Sequence, residues 1–198
     1  MKDRKQDMKD RKQWLRQEMK CRLLKLDARY IERADAQIAE SVMQLEAYRR
    51  AEVIFCYVGT AHEIDTRRVM EASLAMGKIV GIPRCLLEGR MEVRRIMCLT
   101  DTHPGAYGIP EPDASCPVIP PEKLELAIVP CLSCSTTGIR LGHGGGYYDR
   151  YLAEVPGCKI ALCRELLLCD EIPMEAHDLL MDLVLTENRV MTMKNMPL

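Results

Sequence analysis

No apolar run in this 198-residue sequence approaches the roughly 20 residues that a membrane-spanning helix requires. The N-terminus is charged from its second residue, which is not the pattern of a secretory signal. Neither sign of charge is in excess. With a net charge of −1, nothing points to nucleic acid or an anionic membrane as a partner. A Walker A loop is missing, because no Gly-Lys-Ser/Thr follows the glycine cluster, and so is the G-x-G-x-x-G of dinucleotide folds. The single C-x-x-C, Cys131-Leu132-Ser133-Cys134, lacks the second pair or the spaced histidines that a zinc site needs. No linker is long enough to separate two domains, so one domain is expected.

What is present is ordinary in bulk: 47% hydrophobic and 29% charged residues, enough chain for a real core. The ten cysteines are scattered, several of them inside apolar runs such as Ile54-Phe55-Cys56-Tyr57. Buried thiols there act as small hydrophobes, and reduced cysteines in a cytoplasmic, monomeric protein are expected.

The chain opens on two copies of a seven-residue period, Met1-Lys2-Asp3-Arg4-Lys5-Gln6 and Met8-Lys9-Asp10-Arg11-Lys12-Gln13. Two copies do not make a coiled coil, so residues 1–11 are expected to form a solvated helical extension. Leu15, Met19, Leu23 and Leu26 then take helical spacing. Asp27 can cap a second helix with the stripe Ile31, Ala34, Ile38, Val42 and Leu45. Residues 53–58 have strand character, Asp65 or Thr66 can cap a helix ending near Gly77, and residues 79–82 read as a strand stopped by Pro83. Strand, helix and strand in about thirty residues form a βαβ unit and imply a parallel sheet.

Met91 to Met97 is a further strand candidate, and residues 100–125 read as a long loop in which three prolines within 102–112 rule out helix there. Further strands are expected at 126–129, 159–163 and 183–186, with a helix over 147–155. The fold class is therefore α/β: a single three-layer α/β/α domain over 12–190, with a mostly parallel sheet, N-terminal helices and a tail at 191–198.

The densest chemistry lies at Arg140-Leu141-Gly142-His143-Gly144-Gly145-Gly146-Tyr147-Tyr148-Asp149-Arg150. Such a backbone turns sharply and admits a ligand closely, and successive N–H groups in it can enclose an anion such as phosphate. A carboxylate at its exit, Asp149, suits the magnesium that accompanies a nucleoside triphosphate. The run follows a strand and precedes a helix, where α/β proteins place ligands.

The ordered motifs Lys12-x-x-Leu15-Arg16, Glu63-Ile64-Asp65-Thr66, Gly77-Lys78 with Ile82-Pro83-Arg84, Tyr107 to Pro112, Val129-Pro130, Arg140 to Arg150, Ile172-Pro173 with His177-Asp178, and Thr186-Glu187 resemble the 5-formyltetrahydrofolate cyclo-ligase family. The resemblance covers nearly the whole chain. It implies an ATP- and Mg2+-dependent ligase that turns 5-formyltetrahydrofolate into 5,10-methenyltetrahydrofolate by phosphorylating the formyl oxygen, with these small molecules as its partners. By resemblance, ATP is held by Lys12, Arg16, Arg140, Gly142, His143, Gly144, Gly145, Gly146, Tyr147, Tyr148 and Asp149. Arg140 and Tyr148 would take part in catalysis, Asp149 and Asp178 would hold the metal, and Glu63, Tyr107 and Tyr148 would contact folate.

The chain departs from the family pattern at Cys131, Cys134 and Ser135, where relatives carry Gly and a Phe-Asp pair, and at Gly145, where some carry Lys. It departs again at Leu162-Cys163-Arg164-Glu165, where relatives tend to have Phe and Gln, and no ligand role is carried over there. A drifted folate- or nucleotide-binding paralogue, or another ATP-dependent ligase or kinase on this fold, are the alternatives.

Overall fold

The computed structural model describes residues 2–193; the side chains of residues 2–5 and of Tyr107 lie outside the described set, as do residues 194–198 of the expected tail. The elements run α1 (Lys2–Leu23), α2 (Ala28–Gln44), α3 (Glu46–Arg50), β1 (Val53–Cys56), α4 (Arg67–Ala75), β2 (Ile79–Cys85), β3 (Met91–Ile96), β4 (Thr102–Pro104), β5 (Pro110–Pro112) and β6 (Val118–Ile119). They continue with β7 (Leu126–Val129), β8 (Ser133–Cys134), β9 (Arg140–Leu141), α5 (Tyr147–Leu152), β10 (Cys158–Leu162), β11 (Leu183–Leu185) and β12 (Val190–Thr192).

Eight strands form one sheet in the order β12-β11-β10-β7-β1-β2-β3-β6. The five central strands, β11, β10, β7, β1 and β2, are parallel, and antiparallel strands close both sides. From β1 the chain passes to β2 on one side and later returns to β7 on the other. The order therefore reverses between β1 and β7, and the crevice at their carboxyl ends is where such sheets bind ligands.

Both faces of the sheet are covered, so alternate residues of a central strand enter different cores. Leu126 and Ile128 of β7 pack with Ile38 and Val42 of α2 and with Val69 and Met70 of α4. Ala127 and Val129 pack on the opposite face with Leu152, Val155 and Leu23. This is the expected three-layer α/β/α arrangement.

Asp27 caps α2, its carboxylate accepting the amides of Arg29 (2.9 Å) and Tyr30 (3.2 Å). Ahead of α4, Asp65 accepts the Arg67 amide at 3.0 Å, while the Thr66 hydroxyl donates to the Tyr57 carbonyl at 2.6 Å. α4 ends where Gly77 takes a φ of +78°.

Several expected boundaries move. β2 continues through Pro83 to Cys85, paired with β3 but with β1 only as far as Gly81. Beyond Gly81 the strand has lost its β1 neighbour, the edge setting that tolerates proline. The long segment at 100–125 contains the β4–β5 hairpin and the short β6 rather than uniform loop. β12 pairs antiparallel with β11 and takes in residues at the start of the expected tail.

Candidate functional site

The loops at the carboxyl ends of β1 and β7 open into a cavity of about 740 Å3. Its wall includes Lys12, Arg16, Glu63, Arg140, the whole run Gly142 to Asp149, and Asp178. One cavity thus gathers every residue expected at the site except Tyr107, whose side chain lies outside the described residues.

Helix α1 delivers the first two cations. Leu15 and Met19 anchor it on Leu132, Leu141 and Ile172 beside the β8–β9 hairpin. Lys12 lies three residues before Leu15 and continues the same buried stripe. Its ammonium reaches Glu175 Oε2 at 2.9 Å and also pairs with Asp178. Arg16 donates from Nε to the Gly142 carbonyl at 2.9 Å, tying the helix to the glycine loop.

The loop needs its glycines at particular points. Gly144 has a φ of +103°, and a Cβ there would stand 3.5 Å from the Arg16 guanidinium. Gly146, with a φ of +68°, immediately precedes α5, and a Cβ there would meet Arg150 Nη1 at 2.7 Å. Arg150 braces the loop from outside by donating to the Gly145 carbonyl at 2.8 Å and to the Gly89 carbonyl.

Arg140 is nearly inaccessible, its side chain 4% exposed. It donates from Nη1 to the Pro130 carbonyl at 3.1 Å and from Nη2 to Asp149 Oδ1 at 2.8 Å. Its Nε has no protein partner among the described residues. A buried guanidinium at a cavity wall suits an anionic ligand, because charge-assisted hydrogen bonds to it are strong. The guanidinium also lies 5.7 Å from the centre of the Tyr148 ring, which stacks on Phe55 at 6.0 Å with 13° between planes. Burial, reinforced by the charge of Glu63, pushes the Tyr148 hydroxyl far above the phenol range, so it remains a hydrogen-bond donor.

Glu63 stands in the loop after β1 with Oε1 3.3 Å from His143 Nε2, and its other oxygen accepts the Thr60 amide at 3.0 Å. Burial works to raise this carboxyl, but the hydrogen bonds from His143 and Thr60 outweigh it and hold the group below its ordinary value.

Glu175, His177 and Asp178 offer three ligand atoms within 4.8 Å of one another. Two hard carboxylates in the cavity wall suit magnesium, which takes oxygen ligands and keeps several waters. Asp149 lines the same cavity but belongs to the Arg140 pair rather than to that cluster.

Glu175 had no assigned role in the sequence, although it lies three residues before Asp178. Lys9, three residues before Lys12, also reaches the cavity wall from the segment expected to be solvated. Glu111 is a third addition; its buried carboxylate accepts the amides of Cys85 and Ala106, each at 3.2 Å. Cys131, Cys134 and Ser135 do not line the cavity. The Cys134 thiol meets that of Cys131 at 3.5 Å, and Ser135 bonds Thr137 at 2.8 Å.

The sequence model of the 5-formyltetrahydrofolate cyclo-ligase family matches residues 8–187. A mouse 5-formyltetrahydrofolate cyclo-ligase is 30% identical over 190 residues, covering 89% of this chain and 94% of the mouse protein. A fission-yeast (Schizosaccharomyces pombe) protein described as a probable 5-formyltetrahydrofolate cyclo-ligase is 28% identical over 197 residues, covering 91% and 97%. Among solved structures, the Aquifex aeolicus 5,10-methenyltetrahydrofolate synthetase superposes with a TM-score of 0.82 at 24% identity, over 94% of each chain. The Mycoplasma pneumoniae 5,10-methenyltetrahydrofolate synthetase gives 0.72 at 18% identity, over 89% of this chain and 98% of that one. At these identities the two structures support the fold.

Proposed function

Given that the chain belongs to the 5-formyltetrahydrofolate cyclo-ligase family, we propose that it converts 5-formyltetrahydrofolate to 5,10-methenyltetrahydrofolate, using ATP and magnesium and releasing ADP and phosphate. The observation that carries this reading is the convergence of Lys12, Arg16, Arg140 and the glycine loop with Asp149, Glu175 and Asp178 in one cavity.

The chemistry asks for little covalent help from the protein. The N5 formamide is inert because its nitrogen donates into the carbonyl. Transfer of the γ-phosphoryl group to the formyl oxygen makes that oxygen a leaving group. N10 then attacks the formyl carbon and gives up its proton, and the C–O bond breaks with departure of phosphate as the ring closes. What the protein must supply is alignment and charge stabilisation in a site closed to water.

The glycine-loop amides and Arg16 would hold the triphosphate, while Lys12 and Arg140 face the transferring group. Arg140 is suited to this because Pro130 and Asp149 fix its guanidinium at the cavity wall. Asp178 and Glu175 would hold magnesium, joined by Asp149 where it exchanges Arg140 for the metal, and the ion would supply positive charge to the phosphoryl oxygens. Glu63 would accept hydrogen bonds from pterin N–H groups, and the hydrogen bonds from His143 and Thr60 that lower its pKa favour the ionised form that this needs. Tyr107 would contribute an aromatic surface to the folate end, and Tyr148 would stand between the two ligands.

The test is to supply 5-formyltetrahydrofolate with Mg-ATP and follow the methenyl product in the near ultraviolet. Turnover with stoichiometric ADP is expected. Folded protein that binds folate tightly without releasing ADP would overturn the assignment in favour of a binding module.

A further inference from the structure

Resting on that reading of Glu63 as a folate contact, we infer that Arg164 and Asp35 form a positioning clamp that sets where the Glu63 carboxylate stands. Neither residue lines the main cavity. Asp35 lies on α2, and Arg164 follows β10. The two meet in a bidentate pair, Nε to Oδ1 at 2.8 Å and Nη2 to Oδ2 at 2.9 Å. The Arg164 side chain is only 2% exposed.

Among the described residues, the pair's other side-chain hydrogen bonds fall on the loop that carries Glu63. Arg164 Nη1 donates to the His62 carbonyl at 3.2 Å, and Nη2 donates to the Glu63 carbonyl at 3.1 Å. Asp35 Oδ2 accepts the amide of Asp65 at 3.1 Å. Residues 57–66 belong to no strand or helix, so their backbone groups need partners from elsewhere. The pair therefore holds the loop on both sides of Glu63, by carbonyls at 62 and 63 and by an amide at 65. The Tyr57 hydroxyl adds a bond to the Ile64 carbonyl at 3.1 Å.

The clamp extends to the nucleotide side. Glu63 in turn meets His143 of the glycine loop at 3.3 Å. One chain of contacts thus runs from α2 through the end of β10 to the loop after β1, and on to the phosphate loop. Arginine is the side chain for this position. It alone offers a planar fork for the carboxylate with donors remaining for two carbonyls, which lysine cannot reproduce.

The experiment compares steady-state constants for both substrates, with thermal midpoints, in wild type, Arg164→Lys, Arg164→Met, Asp35→Asn and the double variant Asp35→Leu/Arg164→Met. A displaced carboxylate should raise the KM for 5-formyltetrahydrofolate by about 10- to 100-fold, the scale on which small misplacements act. The KM for ATP should change by less than about 2-fold, since the clamp does not touch the nucleotide residues directly. The double variant replaces a buried ion pair by apolar side chains, which cores often accept without loss of stability. It should recover the thermal midpoint lost in Arg164→Met alone while its folate KM stays raised. Recovery of a wild-type folate KM together with stability would reduce the clamp to a packing role and overturn the proposal. An equal rise in both KM values would overturn it too. Calorimetric titration of 5-formyltetrahydrofolate onto the same proteins separates the two levels of argument. A wild type that neither binds nor turns over folate refutes the functional reading itself, whereas a normal wild type with unaffected variants refutes only the clamp.

Discussion

Replacing Lys12 with methionine removes a charge while keeping most of the aliphatic stem. In the folded protein one ammonium serves both Glu175 and Asp178, with side-chain exposures of 8% for Lys12, 16% for Glu175 and 13% for Asp178. An exposed ion pair contributes about 1 kcal/mol or less. Breaking a fully buried one costs about 3–5 kcal/mol, because the surviving charges are left uncompensated. These groups are well covered but border an open cavity, so a cost of about 2 kcal/mol is expected between those limits. For a chain of this size that lowers the thermal midpoint by about 4–8 °C.

Magnesium should recover much of the loss, because the oxygens that lose the ammonium belong to the Glu175–His177–Asp178 cluster. The same ion should stabilise wild type less, since it must compete with Lys12. Acidity supplies a second check. The Lys12 hydrogen bond holds the Glu175 carboxyl below its ordinary value. A carboxyl lowered in this way stabilises the fold fully above its unfolded pKa, about 4.3, and loses that contribution as pH falls through the folded value. The gap between variant and wild type should therefore close below about pH 4. Differential scanning calorimetry with and without magnesium, at neutral and acid pH, measures all three effects. A destabilisation that magnesium leaves untouched, or one that persists undiminished at pH 3, would refute the reasoning.

Asp149→Asn should sharply reduce magnesium-dependent turnover with a modest loss of stability, because asparagine keeps an acceptor for Arg140 Nη2. Asp149→Ala should also lower the thermal midpoint, since it leaves a buried guanidinium without its counter-ion; an unchanged midpoint would contradict the pairing. Gly146→Ala should cost about 1 kcal/mol or more in chemical denaturation, because it forces an L residue to a φ of +68° and against Arg150 Nη1; full stability would show that the loop relaxes freely. In His143→Ala the Glu63 carboxyl should titrate higher than in wild type, because a hydrogen bond that lowers it is gone; an unchanged carbon-13 carboxyl titration would exclude His143 as a cause.

The elements that the sequence announced most clearly were those whose local signal and tertiary role agree. β7 is four consecutive buried residues, an apolar run at the middle of a parallel sheet. Asp27 precedes an amphipathic stripe and caps it as its spacing implied. Pro83 misled because a proline is judged by local rules, while its tolerance depends on β1 ending its pairing at Gly81. β12 and the β4–β5 hairpin are three residues per strand, too short to show periodicity. At the site, the glycine loop was legible because its composition is unusual, whereas Glu175, Lys9 and Glu111 acquire meaning only from the side chains that folding places beside them. The Arg164–Asp35 pair, 129 residues apart, is a stronger case: neither residue is distinctive until the sheet brings the end of β10 against α2.

The charge pattern of the cavity explains how so many ionised groups fold together before any ligand arrives. Lys12 is neutralised by Glu175 and Asp178, and Arg140 by Asp149. Two of the cations suited to phosphate are therefore paired with carboxylates suited to a metal, while Arg16 bonds the Gly142 carbonyl. A metal-free nucleotide would have to pull the cations from their carboxylates and leave those carboxylates unbalanced in a site of reduced dielectric. A nucleotide bearing magnesium brings a replacement for each partner it displaces, so the exchange conserves pairing on both sides. On this argument a preference for a metal–nucleotide complex would arise from these ion pairs, and carboxylate-to-amide changes at Glu175 or Asp149 should narrow the difference in affinity between ATP with and without magnesium.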